Sequence, residues 1–183
     1  KGKTPRPLVI APVANRIVQR SILDTLQSDR KKIQQRLGAI PESLFTPTSV
    51  GGLPGKGAPQ AVEIISAAIA NGAEYYVRSD IKDFFTGVPT ADLISWIEKT
   101  TGEPEFAELI RRGLKVELAN ADDPKVKEWR SLFPDDKTGV PQGSSLAAFC
   151  ANVTLADFDR QLNQNGLTTV RNIDDFVILG STE

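Results

Sequence analysis

The stretch Val170-Arg171-Asn172-Ile173-Asp174-Asp175-Phe176-Val177-Ile178-Leu179 sets two adjacent carboxylates between strand-like runs, LTTVR before them and FVILG after them. At a tight hairpin, two such charges about 4 Å apart repel by roughly 4 kcal/mol at an intermediate effective dielectric, so a cation is expected beside them. A third carboxylate strengthens the expectation. Asp80 ends another strand-like run, YYVRSD at 75–80, and is followed at once by Ile81, Lys82, Asp83, Phe84 and Phe85. Three acids at strand ends point to a divalent ion. Mg²⁺ takes oxygen ligands, keeps several waters, and is usually held by one or two carboxylates together with substrate phosphates, which is the setting of phosphoryl transfer. Positions 80 and 174 are distant in sequence, so only neighbouring strands with aligned ends could unite the three. The competing reading of NIDD is a solvent-exposed turn.

Outward from these motifs, the spacing of apolar residues predicts an α+β order, with helices on one face of a small antiparallel sheet. A strand is expected over 74–81, helices over 91–99 and from Pro104 to about Leu118, and an irregular charged stretch over 121–139. One long helix is expected from Ser144, whose hydroxyl can cap it, to the break at Asn165-Gly166. Upstream, a helix from Asn15 to Gly38, a Pro- and Gly-rich loop over 39–60 containing GGLPGKGAP, and a helix over 59–71 follow an extended arm or hairpin strand at the start. Trp96, Trp129, Tyr75 and Phe158 are expected to pack, and Cys150 to sit in the core.

A chain of 183 residues is long enough for one domain, or two small lobes, burying roughly 70% of its unfolded surface. Its apolar fraction of 40% and charged fraction of 25% are those of a soluble protein, and no signal peptide or membrane-length apolar run is present. The one cysteine cannot form an internal disulfide, which suits a reducing cytoplasm. Histidine is absent, which removes the commonest general base and zinc ligand and leaves catalysis to carboxylates, lysines, hydroxyls or metal. Charge is uneven: residues 1–36 hold nine Lys/Arg against two acids, and residues 37–183 hold thirteen against twenty-one. A basic first segment fits contact with phosphates, and the acidic remainder fits ion binding; for Arg30, Lys31, Lys32 and Arg36 a solvated helix face is the alternative. With no Met and no further element after the strand FVILG, the chain is expected to be a piece of a longer protein.

A further motif, GVPQGSS at 139–145, turns directly into the predicted long helix. Gly139 and Gly143 let backbone lie close against a ligand, and Gln142 offers an amide to a sugar or base edge. Taken in order, RPLVIAPVANRIVQ at 6–19, SDIKDFF at 79–85, GVPQGSSLAAFCAN at 139–152 and NIDDFVIL at 172–179 resemble the fingers and palm of a bacterial reverse transcriptase of the group II intron, retron and phage-defence kind. The resemblance covers nearly the whole chain. It implies a right-hand polymerase palm with a ferredoxin-like sheet over 74–183, with part of 100–140 belonging to fingers or an insertion, and mostly helical fingers over 1–73. No thumb corresponds to any segment.

The resemblance implies an RNA-directed DNA polymerase joining dNTPs to a primer 3′ hydroxyl on an RNA template, the primer being DNA or RNA, with a cognate structured RNA as a further partner. Two Mg²⁺ ions, replaceable by Mn²⁺, would be held by Asp80, Asp174 and Asp175 with the Ile81 carbonyl. One would activate the 3′ hydroxyl and the other would shield the leaving pyrophosphate. Arg6 matches the arginine that clamps the triphosphate, with Lys3 as a helper. Asp83 and Phe84 would support the nucleotide pocket, Phe85 would be the steric gate against a 2′ hydroxyl, and Gln142 would line the same pocket. Gly143 would let the template approach, Lys56 would touch phosphate, and Asn172, where an aromatic is usual, would face the primer end. An RNA-dependent RNA polymerase and a catalytically inactive nucleic-acid-binding module derived from a reverse transcriptase are the alternatives.

Overall fold

The structure is a computed structural model and describes residues 6–181; the candidate Lys3 lies outside them. After an irregular arm, α1 (Val13–Leu26), α2 (Lys31–Leu37), α3 (Ile40–Leu44) and α4 (Ala58–Ala70) lead to β1 (Tyr75–Asp80). The chain continues through α5 (Phe84–Gly87), α6 (Thr90–Thr101), α7 (Pro104–Leu114), α8 (Pro124–Glu128), a single 3₁₀ turn at Arg130–Leu132, α9 (Ala147–Thr154) and α10 (Ala156–Gln164). It ends in the hairpin β2 (Thr168–Asn172) and β3 (Asp175–Gly180). None of the described helices is long and apolar enough to cross a membrane.

The helices form because their apolar positions recur on one face, and that face builds the core. Leu26, Leu37, Ile40, Leu44, Ile97, Ile110, Leu146, Phe149 and Cys150 are almost fully enclosed in one continuous cluster drawn from α1, α2, α3, α6, α7, α9 and the turn before α9. Two predicted helices are broken. The run from Asn15 to Gly38 is interrupted at 27–30, where the Ser28 hydroxyl accepts the Arg30 amide N–H at 3.3 Å, a local bond that competes with helical pairing. The run from Ser144 begins at Ala147 and breaks at Leu155, after the β-branched pair Val153-Thr154. Ser144 does not cap it: its hydroxyl accepts the amide of Leu146, still ahead of the helix.

The sheet has the order β1-β3-β2 and is antiparallel throughout. α4 and α10 lie against it. Beyond β2, residues 48–50 run parallel to it, with the Arg171 amide donating to the Thr48 carbonyl at 3.1 Å and the Val50 amide to the Arg171 carbonyl at 2.8 Å. β1 is exposed along its length, Tyr75 and Tyr76 included, and Trp129 is also partly exposed. The expectation that Tyr75 and Trp129 pack therefore fails: Tyr75 sits on an edge strand, and Trp129 sits in the peripheral charged stretch.

Ile97 is wholly enclosed between α6 and its neighbours. Ile97→Ala is expected to lower unfolding free energy by about 2–5 kcal/mol, read as a lower urea midpoint at unchanged slope.

Candidate active site

Two short elements place the acids. In the β1–β3 ladder Asp80 stands directly opposite Asp175, and such partners project to the same face of a sheet. The β2–β3 hairpin is closed by Asn172 opposite Asp175, which leaves Ile173 and Asp174 as a two-residue loop. Asp174 is held from the other side as well, since its carbonyl accepts the Ile81 amide N–H at 3.2 Å. The sequence-predicted set of Asp80, Ile81, Asp174 and Asp175 is thus gathered at one end of the sheet, with Asp80 and Asp175 exposed and Asp174 half-buried.

Ile173 takes φ +65° at the first loop position, where two-residue hairpins of this kind favour Gly. For a β-branched residue that conformation costs about 1–3 kcal/mol and persists only where the surroundings impose it. The surroundings are a buried polar network. Arg171, fully enclosed, donates through Nε and Nη2 to the two carboxylate oxygens of Asp159 at 2.8 and 2.7 Å, and through Nη1 to Asn152 Oδ1 and to the Ile173 carbonyl, both at 2.9 Å. Asp159 also accepts the Thr46 hydroxyl at 3.0 Å, and Asn152 bonds the Ser49 hydroxyl and the Gly51 carbonyl. The turn also lies against Gly51, where any Cβ would collide with Asn172 Oδ1 and the Ile173 nitrogen.

A second group assembles around GVPQGSS. The Val140 amide donates to the Phe85 carbonyl and the Gly139 amide to the Val88 carbonyl, both at 2.8 Å, which ties the segment after Asp80 to the Gln142 turn. The Val9 amide donates to the Gln142 carbonyl at 2.8 Å, so the arm carrying Arg6 is fastened to the same turn. Gly143, at φ +109°, faces this arm: a Cβ there would stand 2.5 Å from the Val9 carbonyl oxygen. The space at Gly143 is filled by the arm, whereas the sequence suggested a template strand. Asp83 adopts φ +52° before α5, and its carbonyl accepts the Thr86 hydroxyl at 2.7 Å. The Phe85 ring is half-buried edge-to-face against Phe84, centroids 5.6 Å apart.

Two predicted residues are placed otherwise than a direct ligand contact would need. Phe84 points into the core. The Lys56 ammonium donates to the Thr46 and Ser49 carbonyls, each at 3.1 Å, and burial lowers its pKa, so it braces the loop beneath the turn. Cys150 is in the core as expected, and burial pushes its thiol up to about 12. The sequence reading passed over Arg171 and Asp159. The available signal was slight: an arginine within the strand-like run LTTVR, and an aspartate amid the apolar positions Leu155, Phe158 and Leu162.

The donors at the sheet end are oxygens only, the chemistry Mg²⁺ prefers. Among the described residues no three His, Cys, Asp or Glu side chains form a group that could hold a cation by themselves. A cleft of about 560 Å³ around Trp96, Glu42 and Arg160 does not include the acids, of which Asp80 and Asp175 are exposed.

The family model described as reverse transcriptase (RNA-dependent DNA polymerase) matches residues 1–183. A Schizosaccharomyces pombe protein named for its place in the cob intron is 29% identical over 140 residues, 74% of this chain and 16% of its own length. The group II intron-encoded protein LtrA of Lactococcus lactis subsp. cremoris is 25% identical over 159 residues, 87% of this chain and 23% of its own length. Protein YkfC of Escherichia coli (strain K12) is 23% identical over 167 residues, covering 89% of this chain and 39% of YkfC. A solved chain from a partial Cas6-RT-Cas1–Cas2 complex is 27% identical with a TM-score of 0.48, covering 96% of this chain and 28% of that one. The chain therefore spans less than a quarter of the first relatives' length.

Gly143→Ala is expected to expel the Val9 carbonyl and cost about 1–3 kcal/mol through backbone strain. Amide exchange at Val9 should quicken at least tenfold, and exchange unchanged at Val9 would contradict the fastening of the arm.

Proposed function

The chain belongs to the reverse transcriptase family, and from that premise we propose that its whole protein is an RNA-directed DNA polymerase in which residues 74–183 form the palm and residues 1–73 the fingers. The observation that carries this reading is Asp80 directly opposite Asp175, with Asp174 in the adjoining turn. Mg²⁺ ions would be held by Asp80, Asp174 and Asp175 with the Ile81 carbonyl. The chemistry they supply when bound is activation of the primer 3′ hydroxyl and neutralisation of the leaving pyrophosphate.

The remaining roles belong to side chains grouped by the two sets of backbone ties. Arg6, exposed on the fastened arm, carries positive charge for the triphosphate of a dNTP, and Gln142 on the same turn faces the nucleotide. Phe85, stiffened by Phe84 behind it, supplies the wall under the sugar that excludes a 2′ hydroxyl; Phe84 and Asp83 act through the shape of that segment. Asn172 borders the primer end beside the acids. The substrates are an RNA template, a DNA or RNA primer and dNTPs, and the setting is the cytoplasm.

Primer extension on an RNA template with Mg²⁺ and dNTPs tests the reading in the full-length protein. Asp174→Asn/Asp175→Asn should abolish extension in a folded protein, and extension equal to wild type would refute the assignment of these acids. Phe85→Ala should raise ribonucleotide incorporation relative to deoxyribonucleotide by tenfold or more; an unchanged ratio would remove Phe85 as the gate.

A further inference from the structure

Arg171 has no exposed surface, so it cannot touch a substrate itself. Stability alone is a poor reason for its presence, because replacing a buried ion pair with well-packed apolar residues is often neutral or stabilising. The distribution of its hydrogen bonds is more informative. Asp159 takes two donors in a bidentate fork, which fixes the plane of the guanidinium. Asn152 takes one, and Nη1 then reaches the carbonyl of Ile173. Ile173 is the one described residue of the hairpin loop with positive φ, and its carbonyl belongs to the peptide that begins Asp174. A charged donor held by two partners is therefore aimed at the strained peptide just ahead of the acids, while Gly51, itself bonded to Asn152, packs tightly against Asn172 and Ile173.

We infer that Arg171, clamped by Asp159 and Asn152, is a positioning residue that holds the Ile173-Asp174 turn and so orients the carboxylates of Asp174 and Asp175 toward their cation. The part concerning the cation rests on the metal-binding role proposed above; the part concerning the turn does not. Supports behind metal ligands typically change affinity roughly 10- to 100-fold when lost. A guanidinium plane also cannot be copied by lysine, whose single nitrogen cannot span Asp159, Asn152 and the Ile173 carbonyl together.

The test compares Arg171→Lys with wild type by two readouts, after circular dichroism has shown both folded. Amide exchange at Ile81, whose N–H is bonded to the Asp174 carbonyl, reports the turn without any metal. Electron paramagnetic resonance titration with Mn²⁺ reports the carboxylates. Arg171→Lys should speed Ile81 exchange at least tenfold and weaken Mn²⁺ roughly 10- to 100-fold. Adding Ile173→Gly, which removes the steric cost of positive φ, should restore most of both. A mere core ion pair would not be rescued in this way. Ile81 exchange unchanged in folded Arg171→Lys overturns the positioning role, as does rescue by Ile173→Gly of neither readout. Wild type that binds no Mn²⁺, with Ile81 exchange nonetheless quickened by Arg171→Lys, keeps the positioning role and overturns the metal reading. If Arg171→Lys does not fold, Asn152→Ala carries the same expectations for both readouts, and failure of both there overturns the inference.

Discussion

A guanidinium cut off from water must find protein acceptors for its N–H groups, and Arg171 finds them for four of its five. Removing one partner of such a buried pair costs about 3–5 kcal/mol, because the other charge is left uncompensated. That constraint ties together segments that the chain order keeps apart. Asp159 from α10, Asn152 from α9, Thr46 and Ser49 from the loop after α3, and the Ile173 carbonyl from the hairpin must all be in place at once. The strained loop at Ile173, and with it the direction of Asp174, is a consequence of satisfying this one side chain.

From the hairpin outward, coupling passes through backbone bonds. Ile81 is pinned to Asp174, Val140 to Phe85, and Val9 to Gln142, so four motifs remote in sequence are joined by backbone bonds. The side chains so gathered are the carboxylates at the sheet end, the Phe85 ring and, on the arm, Arg6. Asp80 and Asp175 lie exposed at the sheet end, which under the proposed polymerase reading leaves them open to an extended nucleic acid. Chemistry at such a site depends on rigid placement, since little of the substrate is enclosed and orientation must come from the protein frame.

Much of this was legible in the residues. Strand-length apolar runs ending in Asp80 and flanking Asp174/Asp175 gave the sheet and its convergence, because strand pairing aligns ends over any sequence distance. The apolar core of α6, α7 and α9 followed from helical periodicity. The interruptions at 27–30 and Leu155 were not visible, because local hydroxyl–backbone bonds and β-branched crowding outweigh a continuous apolar pattern only marginally. The Arg171 network was hidden for a different reason: partners such as Thr46 and Asp159 or Ser49 and Asn152 lie more than a hundred residues apart, and a lone charged residue in a strand is usually exposed. At Gly143 the expectation was approach of a template strand, whereas in the fold the backbone that lies against it is the arm at Val9.

The central claim is that the end of the sheet at Asp80, Asp174 and Asp175 is where divalent cation binds. Anomalous scattering from crystals of the full-length protein soaked in Mn²⁺, with primer, template and dNTP bound, tests it most directly. The account predicts manganese peaks within coordination distance of the Asp80 and Asp174 carboxylates. Ordered primer and nucleotide with no peak there, or with manganese only at other acids, would contradict it.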